Sequence, residues 1–176
     1  MWSINFCEPE SSVKLKLHEA TWLAALIDGE GCVQIVCNKP GRQYHHSPSF
    51  YFNINVTMCD MEMLERAKAI TGVGALLGPY VRKKGRLRPA WRWSVCSQQA
   101  AELAEVILPH LMLKKVQAEL GIALMKVNKD LPKHRAVKGK QGAQRKPVAI
   151  LSQQQSIFDQ WKAVQTRGKP PKRLAA

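Results

Sequence analysis

The sequence lacks most of the features that would assign it quickly to a class. Its apolar stretches are broken by charge or glycine short of the roughly 18 residues a membrane helix needs, so no membrane association is expected. The opening residues, MWSINFCEPESS, lack the basic start and apolar block of a secretory signal. Five cysteines, at positions 7, 32, 37, 59 and 96, are odd in number and scattered, with no C-x-x-C and no histidine pair at ligand spacing. This argues against a disulfide framework and a zinc site. It points to a reducing, intracellular compartment, either cytoplasm or an organelle interior. No internal repeat is visible. Acidic residues are few: 13 Asp plus Glu stand against 27 Lys plus Arg, a net charge of +14.

What is present begins with a chain of 176 residues, 45% of them hydrophobic, enough for one compact core with a terminal extension. The basic charge comes in blocks. Residues 80–92 hold six basic side chains and no acid, 128–147 hold seven with Asp130, and 167–173 hold four. Together these exceed the net charge of the whole chain, so the remainder is slightly acidic. Clustered basic charge favours a polyanion, because each neutralised phosphate releases a condensed counterion.

Periodicity gives the order of elements. His18 to Ile27 reads as a helix, ended by Asp28-Gly29-Glu30-Gly31, since two glycines in four residues discourage helix. Cys32 to Asn38 reads as a strand, with its cysteines as packing residues. Phe50 to Met58 is the clearest strand: Phe50, Phe52, Ile54 and Val56 alternate with Tyr51, Asn53, Asn55 and Thr57. Asparagine is a poor strand former, so two on one strand face suggest a face in use. Asp60 caps a helix to about Ile70, and Gly72 stops it. Ala75 to Lys84 and Ala90 to Val95 form a hairpin around a basic turn. Ser97 caps a helix from Gln98 to Leu108, Pro109 breaks it, and Leu113 to Val127 is the next helix. The segments are a lead at 1–17, a core at 18–127, a basic linker at 128–150, a helix at 151–166 and a disordered basic tail at 167–176. His45 and His46 fit an exposed pair in a polar loop better than a ligand set, and Trp91 and Trp93 fit the core.

The run Leu23–Gly31, LAALIDGEG, carries the chemistry. It is a helix of small and branched apolar residues closing in two acids. A carboxylate at a helix C-terminus opposes the dipole unless a cation compensates. A divalent metal is one such cation; two acids in a plain exposed turn is the other reading.

This run resembles the LAGLIDADG motif of homing endonucleases. Six of nine letters are identical, Glu30 stands for the second acid, and Ala25 replaces the motif glycine. The α-β-β-α-β-β-α order over residues 18–127 is similar to that family's core, as is Lys114 with Gln117 in a K-x-x-Q pattern before a helix. The resemblance implies an α+β fold, an αββαββα core with a saddle-shaped antiparallel sheet for DNA, here with a helical, basic C-terminal extension. It implies a metal-dependent endonuclease that cuts double-stranded DNA and leaves 3′ overhangs. Glu30 and the carbonyl of Gly29 would bind Mg²⁺, or Mn²⁺ in its place, and Lys114 would offset charge at the phosphate.

One motif supplies one acid, so cutting two strands implies a homodimer on a pseudo-palindromic target. Leu23, Ala24, Ala25, Ile27 and Asp28 are the expected interface. The reading residues would be Gln34, Asn38, Tyr51, Asn53, Asn55, Thr57, Arg82, Lys84 and Arg92, with Lys39, Arg42, Arg86 and Arg88 holding phosphates from turns. Met58 and Glu62 stand where some relatives carry Gln and Arg. Two alternatives share the fold: an RNA maturase that assists splicing of its host intron RNA, and a DNA-binding regulator without catalysis.

Overall fold

The computed structural model describes residues 13–39, 47–81, 88–131 and 146–166. The elements run α1 (Leu17–Glu30), β1 (Gly31–Asn38), β2 (Ser49–Met58), α2 (Met61–Thr71), β3 (Ala75–Tyr80), β4 (Ala90–Cys96), α3 (Ser97–Ile107), a single 3-10 turn (Leu108–His110), α4 (Lys115–Lys129) and α5 (Val148–Thr166). The fold is α+β, as expected from the sequence. All strand pairs are antiparallel and the sheet order is β1-β2-β4-β3.

The strict alternation of β2 decides how the sheet sits. Phe50, Phe52, Ile54 and Val56 are buried, and with Val33, Ile35, Trp93 and Val95 they form the sheet's side of the core. Helices α1, α3 and α4 supply Leu23, Ala24, Ile27, Leu103, Ile107, Ala118 and Leu124 to the same core. At about 25 cal/mol per Å² of apolar surface removed from water, this shared layer is the main source of stability. Gly121 is needed on α4 because a Cβ there would stand 2.2 Å from the Phe52 ring.

Asp60 caps α2 as expected, its Oδ1 accepting the N–H of Met63 at 3.3 Å, and Gly72 closes the helix in a left-handed conformation with φ of 68°. Other boundaries differ from the sequence reading. Helix α1 runs through Asp28 and Gly29 to Glu30 instead of stopping at Ile27. Ser97 does not cap α3; it opens the helix with φ of 55°, and Cys96 is the cap residue, with no side-chain bond. Strand β3 ends at Tyr80, and α5 begins three residues earlier than periodicity suggested.

Helix α5 folds back on the core. It packs on α4 and reaches β1, with Ile157, Phe158 and Trp161 against the apolar cluster. The Phe158 ring meets Phe50 edge-on at 5.5 Å. Gln154 is fully buried and donates to Asn128 Oδ1 at 2.5 Å, while Asn128 donates to the carbonyl of Phe50 at 3.2 Å. Lys146 leads into α5 and donates to the carbonyl of Pro48 at 3.0 Å; burial lowers its pKa from the usual lysine value. Among the described residues no helix is long and apolar enough to cross a membrane.

Candidate functional site

The end of α1 meets the loop before α4. The Asp28 carboxylate accepts three backbone N–H groups, from Met112 at 2.7 Å, Leu113 at 3.2 Å and Lys114 at 2.9 Å. Lys114 reciprocates: its Nζ donates to the carbonyls of Ile27 at 2.8 Å and Asp28 at 2.6 Å. A helix C-terminus carries unsatisfied carbonyls and partial negative charge, and an ammonium answers both. The motif resemblance picks out Lys114, but not these bonds to α1, because Lys114 lies 86 positions from Asp28 and only the fold joins them. It also explains why α1 tolerates Gly29 and Glu30 in its last turn.

Gly31 follows with extended backbone and bonds its N–H to the carbonyl of Ile27. A Cβ on Gly31 would stand 2.6 Å from that oxygen, so glycine alone lets β1 leave the helix so closely. Glu30 sits at this corner, exposed, with no hydrogen bond or ion pair among the described residues. Gly29 beside it is also exposed. The two acids of the motif thus divide: Asp28 braces the chain and Glu30 faces solvent. Glu30 and the Gly29 carbonyl are hard oxygen donors suited to Mg²⁺ or Mn²⁺. No cluster of three potential ligand side chains occurs among the described residues. The chain therefore fits such an ion as a partial donor set that further oxygens must complete. Gln117, on α4, keeps a buried Oε1 without a partner among the described residues.

The expected interface needs correction. Leu23, Ala24 and Ile27 have no exposed surface in the single chain, because they pack on its own sheet and helices. They are core residues and cannot also meet a second chain. Only Ala25 of the expected apolar set is exposed, in line with Thr21 and Gly29 at helical spacing; Asp28 is half-buried and engaged as above. Large apolar side chains lie exposed beside this end of α1: Met112 is 87% exposed and Leu113 74%.

Strand register gathers the expected reading residues. Gln34 pairs with Asn53, Cys32 with Asn55 and Val36 with Tyr51 across β1 and β2. Asn53 pairs with Cys96, Asn55 with Ser94 and Thr57 with Arg92 across β2 and β4. Gln34, Asn38, Tyr51, Asn53, Asn55, Thr57 and Arg92 therefore share the face opposite the core. Asn55 is the most enclosed of them, and its Oδ1 has no partner among the described residues. Lys39 and Arg88 are exposed next to strand ends. Arg42, Arg82, Lys84 and Arg86 lie outside the described residues, as do His45 and His46. Met58 is half-buried and Glu62 is exposed in the first turn of α2. Cys32, expected to pack inside, is exposed on the polar face.

No protein-family model matches the chain, and no curated protein matches it. Solved structures do. The homing endonuclease I-CvuI, crystallised with DNA in the presence of Mg, superposes with a TM-score of 0.65 at 18% identity, covering 90% of this chain and 88% of that one. The archaeal intron-encoded homing endonuclease I-Vdi141I, in complex with DNA, gives 0.63 at 14% identity over 89% and 90%. The LAGLIDADG homing endonuclease I-GzeII, in complex with its DNA target, gives 0.54 at 14% identity over 82% of this chain and 44% of that one. The chain has the LAGLIDADG homing-endonuclease fold, in agreement with the resemblance in its motif.

Proposed function

We propose that this protein is a site-specific DNA endonuclease that works as a homodimer on a pseudo-palindromic target, hydrolysing phosphodiesters with a divalent cation and leaving 3′ overhangs. The observation that carries this reading is the corner where α1 ends. Glu30 is an exposed carboxylate two residues along α1 from Asp28, and Asp28 exchanges hydrogen bonds with Lys114, whose ammonium donates to the carbonyls of Ile27 and Asp28. Lys114 is 86 positions from Asp28, so this juxtaposition is a product of the fold.

Each residue has a task. Glu30 and the Gly29 carbonyl of each copy would hold Mg²⁺ or Mn²⁺, with phosphate oxygens completing the ligand set. Such an ion, when bound, supplies Lewis acidity and lowers the pKa of an attacking water. Lys114 provides fixed positive charge where negative charge develops on the phosphate. Asp28 keeps Lys114 and Glu30 in register. The polar sheet face offers amides and a guanidinium to base edges, and the basic blocks attract the backbone.

The dimer rests on arithmetic and surface. One chain has one exposed motif acid, and two strands need two. The chain matches nearly all of I-CvuI but under half of I-GzeII, as expected if the unit occurs once in the first and twice in the second. Thr21, Ala25 and Gly29 are small and exposed, which allows close helix approach, and Met112 and Leu113 offer adjoining apolar surface.

The test is recovery of cleaved sites from a randomised DNA library with Mg²⁺. The expected result is a pseudo-palindromic consensus with 3′ overhangs, absent with Glu30→Gln. Equal cleavage by parent and Glu30→Gln would overturn the proposal.

A further inference from the structure

We infer that Arg92 is a preset guanine reader and that Thr57 and Tyr80 are positioning residues that aim it; this deepens the DNA-binding reading above and rests on it. Arg92 lies on the outer face of β4, opposite Thr57 on β2 and Leu77 on β3. Its Nε donates to Thr57 Oγ1 at 3.1 Å. Its guanidinium carbon stands 5.2 Å from the centre of the Tyr80 ring, within cation–π range.

Tyr80 reaches this place only through an irregularity. With unbroken alternation from Leu77, Tyr80 would point toward the core. A register shift between Leu77 and Tyr80 adds one residue to β3, so Tyr80 pairs with Ala90 and shares the face of Arg92. Bulges recur where a strand must re-aim a side chain. Here the result is a large ring left 45% exposed, with the Arg92 cation against it.

Arginine loses much rotamer freedom when it binds, and a side chain already held avoids part of that cost. The hold is selective. Nε is engaged by Thr57 and one face of the plane by Tyr80, while no carboxylate pairs with Arg92 among the described residues. The terminal Nη1–Nη2 edge remains, two parallel donors matched to guanine O6 and N7 in the major groove. A phosphate contact needs charge but not a fixed fork.

The experiment is competition binding of the full chain to its preferred DNA and to every single-base-pair variant of it, with divalent cation withheld. Arg92→Lys is expected to lose about tenfold preference for G·C at one position per half-site, leaving other positions intact. The salt slope should hardly move, because the charge is kept. Thr57→Val and Tyr80→Leu should weaken the same preference about two- to tenfold, while Tyr80→Phe, which keeps the ring, should retain it. An unchanged profile for Arg92→Lys, or a loss spread evenly over all positions, overturns the assignment. Thr57→Val and Tyr80→Leu variants that unfold earlier without altering the profile refute the positioning role. A parent chain with no sequence preference refutes the function proposed above and this inference together; a selective parent with an indifferent Arg92 refutes this inference alone.

Discussion

Asp28 and Lys114 hold each other in two directions. The carboxylate of the first accepts the backbone N–H of the second, and the ammonium of the second donates to the backbone carbonyl of the first. This pairing ties the last turn of α1 to the start of α4, and it separates the two motif acids by role.

That separation is measurable. Asp28→Ala removes the acceptor of three N–H groups and should lower unfolding free energy by about 2–3 kcal/mol, read as a shifted urea midpoint at constant slope. Cleavage should fall with it. Glu30→Gln should leave the midpoint unmoved or slightly raised, because it takes an anion from a helix C-terminus, yet it should abolish cleavage. A Glu30→Gln protein that unfolds early would contradict the assignment.

Association and folding should respond to different faces of α1. A Cβ on Gly29 meets nothing within 4 Å in the single chain. Gly29→Ala should therefore stabilise the isolated helix by about 0.5–1 kcal/mol while weakening a close helix pair. Ala25→Glu should give a folded monomer in sedimentation, without cleavage. Leu23→Ala, one face away, should cost about 2–5 kcal/mol of folding by opening a core cavity. A dimer undisturbed by Ala25→Glu would rule out this helix as the interface.

Cys32 and Cys96 are exposed thiols beside Asn55 and Asn53 on the polar sheet face. Bound DNA should slow maleimide labelling of both, followed residue by residue by mass spectrometry. Equal labelling rates with and without saturating DNA would move the binding face elsewhere.

The basic linker should act on affinity alone. Changing Lys133, Lys138 and Lys140 to Gln should weaken binding to target and unrelated DNA equally. The slope of log affinity against log salt should fall by about one for each phosphate no longer neutralised. A weakening confined to the target sequence would show that the linker reads bases.

Much of this architecture was legible in local signals. The alternation of β2, the cap at Asp60 and the stop at Gly72 each act within a few residues, so the sequence alone foretold them. The failures are non-local. Gly29 and Glu30 stay helical because a lysine from the other half of the chain answers the last carbonyls. Leu23, Ala24 and Ile27 had the right character for an interface, but an apolar helix face does not say whether its cover is the chain's own sheet or another copy. Tyr80 changes faces through one extra residue in β3, for which Gly78-Pro79 is the only local hint. Lys114 was found through the motif resemblance; its bonds to α1 were not.

Gly31 joins α1 to β1 with no room for even a methyl group between the strand and the helix it leaves. The separation of Gln34 from the corner that carries Glu30 is therefore fixed by about 10 Å of extended backbone. Under the proposed function this segment is a ruler. A target lengthened by one base pair between its centre and its first read base should still be gripped by phosphate contacts, yet bring the wrong edge to Gln34 whenever its scissile bond reaches Glu30.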